Sequence, residues 1–311
     1  MVRAGGSFGG SLDPQCHAGF VDTQTMRLQA IFPQTEIGSD PQIISAFVRE
    51  IEALGFDGLV AYDHVLGADP ARANWSGPYT IETQFHEVFV LLGFAAALTT
   101  RLQLSTGVLI LPQRQAALAA KQAAALDVLS GGRLRLGVGV GWNWVEFDAL
   151  GMSFKDRGKR VEEQIALLRE LWTKPSVTFD GRWHHVDRAG LNPLPVQRPI
   201  PLWLGADSEP AIRRAARLAD GFFSHFAATD EGRAQAGTFW EWVKESGRDS
   251  ARVGLECRTA ARMSDDELSR SAETFRAMGA TDLEFNTMRA GFRSADEHLD
   301  AFRRFVARLR A

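Results

Sequence analysis

Apolar and polar positions along the chain fall into two alternating kinds of segment. Short, mostly apolar runs that suit buried strands alternate with longer segments whose apolar residues recur with the period of a helix. The predicted strands are MRLQAIF, DGLVAY, LQLSTGVLI, RLRLGVG, IPLWLGA, DGFFSHF, RVGLECRTA and TDLEFNT. The predicted helices lie near 41–54, 85–99, 115–129, 161–168, 209–218, 231–246, 265–278 and 295–309.

Strand and helix pairs in this order predict parallel βαβ units, and eight of them match one closed (β/α)8 TIM barrel over residues 26–311. The fold class is therefore α/β. Residues 173–199 interrupt the alternation between the fourth and fifth strand units. We interpret them as an insertion, with a short hairpin around Asp180-Gly181 followed by a proline-rich stretch. The Gly- and Ser-rich residues 1–25 are predicted to form a flexible N-terminal extension.

Composition narrows the class of partner. The 311 residues are 45% hydrophobic and carry a net charge of -3, which suits a globular protein and supplies no basic footprint for nucleic acid. The longest apolar run, 88–98, is too short for a membrane span. Two cysteines, Cys16 and Cys257, predict neither a disulfide framework nor a metal site. We expect a cytoplasmic protein that acts on a small molecule, with no nucleic-acid, membrane or metal partner.

The run GVGVGWNWVEF, which starts at Gly137, raises the question of a dinucleotide-binding turn. Its spacing is G-x-G-x-G instead of G-x-G-x-x-G, and it follows the fourth predicted strand instead of the first, so it does not fit the Rossmann pattern. At the carboxyl end of a barrel strand, glycines let a flat ring approach the backbone. The alternative is that Gly137 and Gly139 only relieve crowding inside the barrel.

Asp63 and His64 end the second predicted strand, where barrel enzymes carry functional residues. A neutral imidazole beside a carboxylate can donate and accept a proton near neutral pH. We therefore predict His64 and Asp63 as catalytic residues. The alternative is a histidine that only forms hydrogen bonds at the barrel rim.

Several longer motifs resemble the luciferase-like monooxygenase superfamily, and within it the actinobacterial coenzyme F420-dependent oxidoreductases. The motifs are LDVLSGGRLRLGVGVGWNWVEFDALG, RGKRVEEQIALLRELW, LNPLPVQRPIPLWLGADSEPAIRRAARLADGF, GFDGLVAYDHV and STGVLILPQR. The resemblance is strong over residues 26–225. It implies a deazaflavin (F420)-dependent oxidoreductase that transfers hydride between the cofactor ring and an organic substrate. Alternatives are an FMN-dependent monooxygenase that uses reduced flavin and oxygen, and a non-catalytic flavin- or deazaflavin-binding protein.

The resemblance also assigns roles to individual residues. It implies that His64 lies near the reacting ring, that Asp63 helps to position it, and that a non-proline cis peptide at Gly107-Val108 supports the ring from behind. It places the cofactor phosphate at the start of the helix after the fifth strand unit, where free N–H groups can bind an anion. The predicted cofactor-binding residues are Thr106, Gly107, Val108, Gly139, Gly141, Glu146, Gly205, Ala206 and Ser208.

Two predictions concern large apolar side chains. Trp142 takes the place of a catalytic glutamate in related sugar-phosphate dehydrogenases, and we expect its indole to wall the substrate pocket, with simple packing as the alternative. The run VFVLLGFAAAL, residues 88–98, is apolar nearly all round, more than one packed helix face requires. We therefore predict a homodimer that uses this helix.

Overall fold

The computed structural model of the protein describes residues 26–310. Its eight barrel strands are all parallel, and each pairs with two neighbours, so the sheet closes on itself. The predicted (β/α)8 barrel is confirmed. The strands are β1 Arg27–Ile31, β2 Gly58–Ala61, β3 Gln103–Thr106 with its short continuation β4 Leu109–Ile110, β5 Leu134–Gly139, β8 Leu202–Gly205, β9 Gly221–Phe223, β10 Gly254–Ala260 and β11 Asp282–Asn286.

Helices follow the barrel strands and cover the outside of the sheet. Their buried side chains repeat with helical spacing, as in α1, where Ile44, Phe47, Val48 and Ile51 face the core. The helices are α1 Pro41–Ala53, α2 Val88–Leu98, α3 Ala116–Ser130, α4 Trp144–Ala149, α5 Arg157–Thr173, α6 Glu209–Leu218, α7 Asp230–Glu245, α8 Asp265–Ala277 and α9 Ala295–Arg310.

The insertion at residues 173–199 is present between β5 and β8. Its hairpin pairs β6, Val177–Asp180, with β7, His185–Ala189, as a separate two-stranded antiparallel sheet. The Glu163 carboxylate on α5 accepts the N–H groups of Arg182, Trp183 and His184, which fixes the hairpin tip to the outside of the barrel. The hairpin histidines bind single carboxylates, and no group of three potential metal ligands occurs in residues 26–310.

The barrel interior carries a buried charged layer below the carboxyl ends of the strands. The Arg135 guanidinium on β5 lies 2.6 Å from Glu256 on β10 and 3.1 Å from Asp282 on β11, and all three side chains are almost fully buried. Gln29 on β1 donates to the same Asp282 carboxylate at 2.7 Å. These contacts join four strands across the barrel axis, so the lower barrel is filled with side chains and the open space lies above it.

Two expectations remain beyond these observations. The predicted extension at residues 1–25, with Cys16, lies outside the described residues, while Cys257 is buried and free. Helix α2 buries six side chains but leaves Val90 71% and Phe94 39% exposed. The homodimer through this helix stays a prediction. Within residues 26–310, the helices are all too short or too polar to cross a membrane.

Candidate active site

A cavity of about 770 Å³ opens at the carboxyl ends of the parallel strands. In a barrel of this kind every strand ends on the same face, so the loops that follow them converge on one space. The cavity walls come from the loops after β1, β2, β5, β8, β9, β10 and β11, and its base includes Gly107 and Val108 between β3 and β4. This volume suits a cofactor-sized ligand.

His64 is held at the cavity wall by a buried carboxylate. Its Nδ1 lies 3.2 Å from Glu146 Oε1, and Glu146 also accepts the N–H of Val65 at 2.7 Å and an amide hydrogen of Gln113 at 3.1 Å. A carboxylate accepts only, so Nδ1 carries the hydrogen in this contact and Nε2 is left as the second ring nitrogen. His64 is therefore oriented before any ligand binds.

Glu146 is suited to remain charged in this place. Burial by itself raises the pKa of Glu146, but the hydrogen bond and charge of His64, with the donors of Gln113 and Leu66, bring it below its ordinary value. A carboxylate partner fixes which ring nitrogen of His64 holds the hydrogen. Glu146 thus acts on the cavity through His64.

Aromatic rings enclose His64 on its other sides. The ring centroids of Tyr79, Phe85 and Trp142 lie 4.8, 4.7 and 5.5 Å from that of the imidazole. Tyr79 and Trp142 line the cavity, and Trp142 is 42% exposed. This aromatic wall leaves little room for water beside the imidazole and presents an apolar surface to a substrate.

Asp63 precedes His64 in the chain, but its carboxylate contacts Arg114 and Ile110 and not Glu146 or the imidazole. Its carboxylate accepts from Arg114 Nη2 at 2.7 Å and from the Ile110 N–H at 3.0 Å. Burial raises the pKa of Asp63 despite the opposing effect of Arg114. The expectation that Asp63 positions His64 is wrong in this geometry, because the carboxylate on the imidazole is Glu146. Asp63 instead ties β2 to the end of β4.

The base of the cavity is shaped by glycines around one valine. The Gly107-Val108 peptide is cis, as the resemblance implied. A Cβ added at Gly139 would lie 2.5 Å from Val108 Cγ2, and one at Gly205 would lie 2.9 Å from Val108 Cγ1. Bare backbone on β5 and β8 therefore makes the space that Val108 occupies. A flat ring can rest on the apolar surface that these three residues share.

The N-terminus of α6 also faces the cavity, beside the base formed by Val108 and Gly205. Ser208 is the N-cap residue, but its side chain makes no capping hydrogen bond, and Gly205, Ala206 and Ser208 all line the cavity. Asp207 beside them is hydrogen-bonded to the His225 ring, which lowers the pKa of the Asp207 carboxyl and holds this side chain in place. Pro210 has no N–H and the N–H of Ala211 bonds the Ser208 carbonyl, so the donors offered to a phosphate are the N–H groups of Ser208 and Glu209 and the Ser208 hydroxyl.

The structure brings most of the predicted site residues to one cavity. These are Asp63, His64, Gly107, Val108, Gly139, Gly141, Trp142, Gly205, Ala206 and Ser208. Two expected cofactor contacts are corrected: Thr106 is buried and its hydroxyl donates to the Gly137 carbonyl at 2.6 Å, and Glu146 lies behind His64. Gly137 relieves crowding inside the barrel, which is the alternative to a role in ligand binding. A Cβ at this position would lie 2.0 Å from the Thr106 carbonyl oxygen.

Sequence reasoning missed several charged residues of the cavity. Arg258 on β10 pairs with Glu284 on β11 at 2.5 Å beside the Tyr62 ring, and Arg262 and Arg289 stand in the loops that follow these strands. The alternation of side chains along β10 and β11 was the available signal for Arg258 and Glu284. The loop arginines carried no such pattern.

A closed barrel with an oriented imidazole, a bare-glycine base and a helix N-terminus facing one cavity is the arrangement of a barrel enzyme whose site lies at the carboxyl ends of the strands. Comparison with known proteins names the family. The model of the luciferase-like monooxygenase family matches residues 20–308, so the chain belongs to that family, and it is an oxidoreductase of the F420- or flavin-dependent kind.

Relatives in this family use different cofactors. The chain is 34% identical over 193 residues to the F420-dependent glucose-6-phosphate dehydrogenase of Nakamurella multipartita, a match that covers 59% of this chain and 52% of that protein. It is 30% identical over 201 residues to the FMNH2-dependent dimethylsulfone monooxygenase of Pseudomonas putida, covering 63% of this chain and 54% of that protein.

Solved structures share the fold at low sequence identity. An F420-dependent secondary alcohol dehydrogenase, solved with an F420-acetone adduct, superposes with a TM-score of 0.72 at 17% identity over 92% of this chain and 99% of that one. A monooxygenase from Streptomyces bottropensis superposes with a TM-score of 0.74 at 17% identity over 91% and 98%. Likeness at this identity establishes the barrel architecture.

Proposed function

We propose that the protein is a coenzyme F420-dependent oxidoreductase that transfers hydride between the deazaflavin ring and an organic substrate. The observation that carries the proposal is the His64 imidazole, fixed by buried Glu146 and exposed to the same cavity as Val108. When bound, the deazaflavin ring supplies or accepts the hydride. The protein's own part is to hold the ring, exclude water and move one proton.

The residues around the cavity fit such a cofactor. Gly139 and Gly205 expose Val108 as an apolar support for a ring, while Ala206 and Ser208 offer the helix N-terminus of α6 to a phosphate. The two features lie on adjoining strands, β5 and β8, so one ligand can reach both.

His64 carries out the proton step. With Nδ1 on Glu146, Nε2 is the nitrogen that can give a proton to a substrate oxygen as hydride arrives, or take one as hydride leaves. The charge of Glu146 stabilises the imidazolium in either direction. The aromatic wall of Tyr79, Phe85 and Trp142 shields the His64 imidazole from water on the sides that it covers and holds the imidazole in place.

A second candidate is an FMN-dependent monooxygenase, favoured by the FMNH2-dependent relative. The same base and helix N-terminus can hold the ring and phosphate of FMN. In that case the reaction needs reduced flavin and oxygen.

Parallel titration with F420 and FMN separates the two candidates. We expect fluorescence quenching with a micromolar or tighter dissociation constant for F420 and at least about tenfold weaker binding of FMN, a difference of roughly 1.4 kcal/mol. Tighter binding of FMN would replace the first proposal with the second. Binding of neither would remove both.

A further inference from the structure

Within residues 26–310, two arginines at the cavity rim have no acidic partner for their guanidinium groups. Arg262 and Arg289 line the cavity and are exposed, and within residues 26–310 neither side chain forms a hydrogen bond or an ion pair. Arginine presents a fork of donors that matches carboxylate and phosphate oxygens. An unpaired arginine in a cavity is thus a binding group for an anion.

Two of the other charged side chains of the cavity are paired with an opposite charge: Asp63 with Arg114, and Arg258 with Glu284. Asp207 is hydrogen-bonded to the His225 ring and counts as one negative charge. With Asp207 included, Arg262 and Arg289 still leave the charged side chains that line the cavity with a net positive charge, although the chain as a whole has a net charge of -3. A positive cavity in an acidic protein attracts anionic ligands.

The position of Arg289 relates this charge to the proton-transferring group. Its guanidinium carbon lies 5.9 Å from the Tyr79 ring centroid, and Tyr79 contacts His64. The Arg289 N–H donates to Glu36 at 2.8 Å, and its φ of 62° lies in the left-handed region. Non-glycine residues rarely adopt this conformation. Those that do are found more often than average at ligand-binding sites.

We propose that Arg289 and Arg262 bind the carboxylate or phosphate of an anionic organic substrate, whose apolar body packs on Tyr79 and Trp142. This inference rests on the proposed oxidoreductase function and adds the substrate class to it. The anionic group is held at the rim between β10 and β11, and the reacting carbon then lies deeper, between His64 and Val108.

The cofactor also carries anionic groups, so the same chemistry has two possible sources. The assignment to substrate follows from the order of strands around the barrel. The helix N-terminus proposed for the cofactor phosphate follows β8, whereas Arg289 follows β11, which lies three strands from β8 around the barrel. Only β1 separates β11 from β2, the strand that precedes His64. Arg289 therefore stands on the His64 side of the cavity.

The test measures binding of simple probes to the unchanged protein and to variants. Benzoate and phenyl phosphate are the anionic probes, benzamide is the neutral match for benzoate, and tryptophan fluorescence is the readout because Trp142 lines the cavity. The variants are Arg289→Gln and Arg262→Gln. The control is Arg293→Gln, which removes the same charge from an exposed arginine of the same loop that does not line the cavity.

We expect Arg289→Gln to weaken binding of both anionic probes by about tenfold, and Arg262→Gln by a smaller factor, since charge-assisted hydrogen bonds are lost. Benzamide binding and the dissociation constant of F420 should change by less than about twofold, as should all values in Arg293→Gln. Probe titrations on cofactor-free protein keep this result independent of whether F420 binds.

Three results would overturn the inference. They are failure of both anionic probes to bind the unchanged protein, equal binding by Arg289→Gln, and a loss of F420 affinity in Arg289→Gln that matches the loss for the probes. The last result would assign the arginines to the cofactor. Failure of F420 and FMN to bind while the probes still depend on Arg289 would remove the proposed function and leave the anion site standing.

Discussion

The two sides of the cavity differ in how their charged groups are held. On the side of β2 and β5, Asp63 is bound by Arg114 and Glu146 by His64, and both carboxylates are almost fully buried. On the side of β10 and β11, Arg258 is likewise paired with Glu284, but Arg262 and Arg289 are exposed and have no acidic partner within residues 26–310. The first side is ordered by the protein alone, whereas the second requires a ligand to complete its contacts.

This difference predicts which property of the protein depends on each side of the cavity, folding stability or ligand binding. Buried pairs contribute to folding and to orientation, because removal of one partner leaves an uncompensated charge. Exposed, unpaired arginines contribute almost nothing to folding and act only when an anion binds.

The largest expected effect is on stability. Asp63→Asn removes the buried carboxylate from Arg114, which keeps its partly exposed partner Glu87 at 3.0 Å, and we expect a loss of about 2 kcal/mol in the free energy of unfolding. Arg289→Gln should stay within about 0.5 kcal/mol of the unchanged protein. Urea denaturation followed by circular dichroism measures both. Equal losses in the two variants would contradict the distinction between the two sides.

The next effect is on turnover. His64→Ala should lower kcat by about 100-fold or more, because the positioned proton donor is lost, while the dissociation constant of the cofactor changes little. Steady-state kinetics with a turned-over substrate provides the measurement. His185→Ala, on the exposed hairpin, is the matched control. Unchanged kcat in His64→Ala would take His64 out of the mechanism.

A smaller effect is expected for the residue behind His64. Glu146→Gln keeps the size of the side chain but removes the charge that orients and stabilises the imidazole, so kcat should fall by about tenfold. Steady-state kinetics measures the change, and an unchanged kcat in Glu146→Gln would mean that Glu146 does not act through His64.

Ionic strength should separate the two sides by a few-fold effect. Benzoate binding at the exposed arginines should weaken by about threefold as NaCl rises from about 0.02 to about 0.5 M, since exposed charges are screened. The tenfold ratio of kcat between the unchanged protein and Glu146→Gln should not move, because this pair is buried. Salt-independent benzoate binding would argue that the probe does not contact Arg289 or Arg262.

The smallest effect concerns acid stability. The folded-state pKa of Glu146 is lower than its ordinary value, so its contribution to stability is present above the ordinary glutamate range and is lost as pH falls through the lower, folded value. Glu146→Gln should be less stable than the unchanged protein by about 1 kcal/mol or less at neutral pH, and the difference should vanish in acid. A difference that grows toward low pH would contradict this assignment.

The sequence predicted the barrel well because strand and helix periods repeat through the chain, and the residues at strand ends reach the cavity as a consequence. It could not predict the partners of these residues. His64 and Glu146 are 82 positions apart, and only the loop geometry after β2 and β5 decides that Glu146 rather than adjacent Asp63 meets the imidazole. Asp63 and His64 lie in the loop after β2, where no strand alternation fixes the direction of a side chain, so the contact of Asp63 with Arg114 could not be predicted either.

The arginines show a different limit. Arg289 lies in a loop without a periodic pattern, and its place beside Tyr79 depends on a left-handed backbone conformation and a hydrogen bond to Glu36, 253 positions away in the chain. Local patterns contain no record of such a contact. Composition showed only that the whole chain is slightly acidic, which hid the local positive excess of the cavity.

The contact of Val108 with Gly139 and Gly205 also constrains how the protein can evolve. Each methyl group of Val108 fills the space that a Cβ at one of these glycines would need. A larger residue at 139 or 205 can be accepted only after residue 108 becomes smaller. The three positions, which come from three different strand ends, are therefore sterically coupled. We expect substitutions at 139 or 205 to occur only together with a substitution at 108.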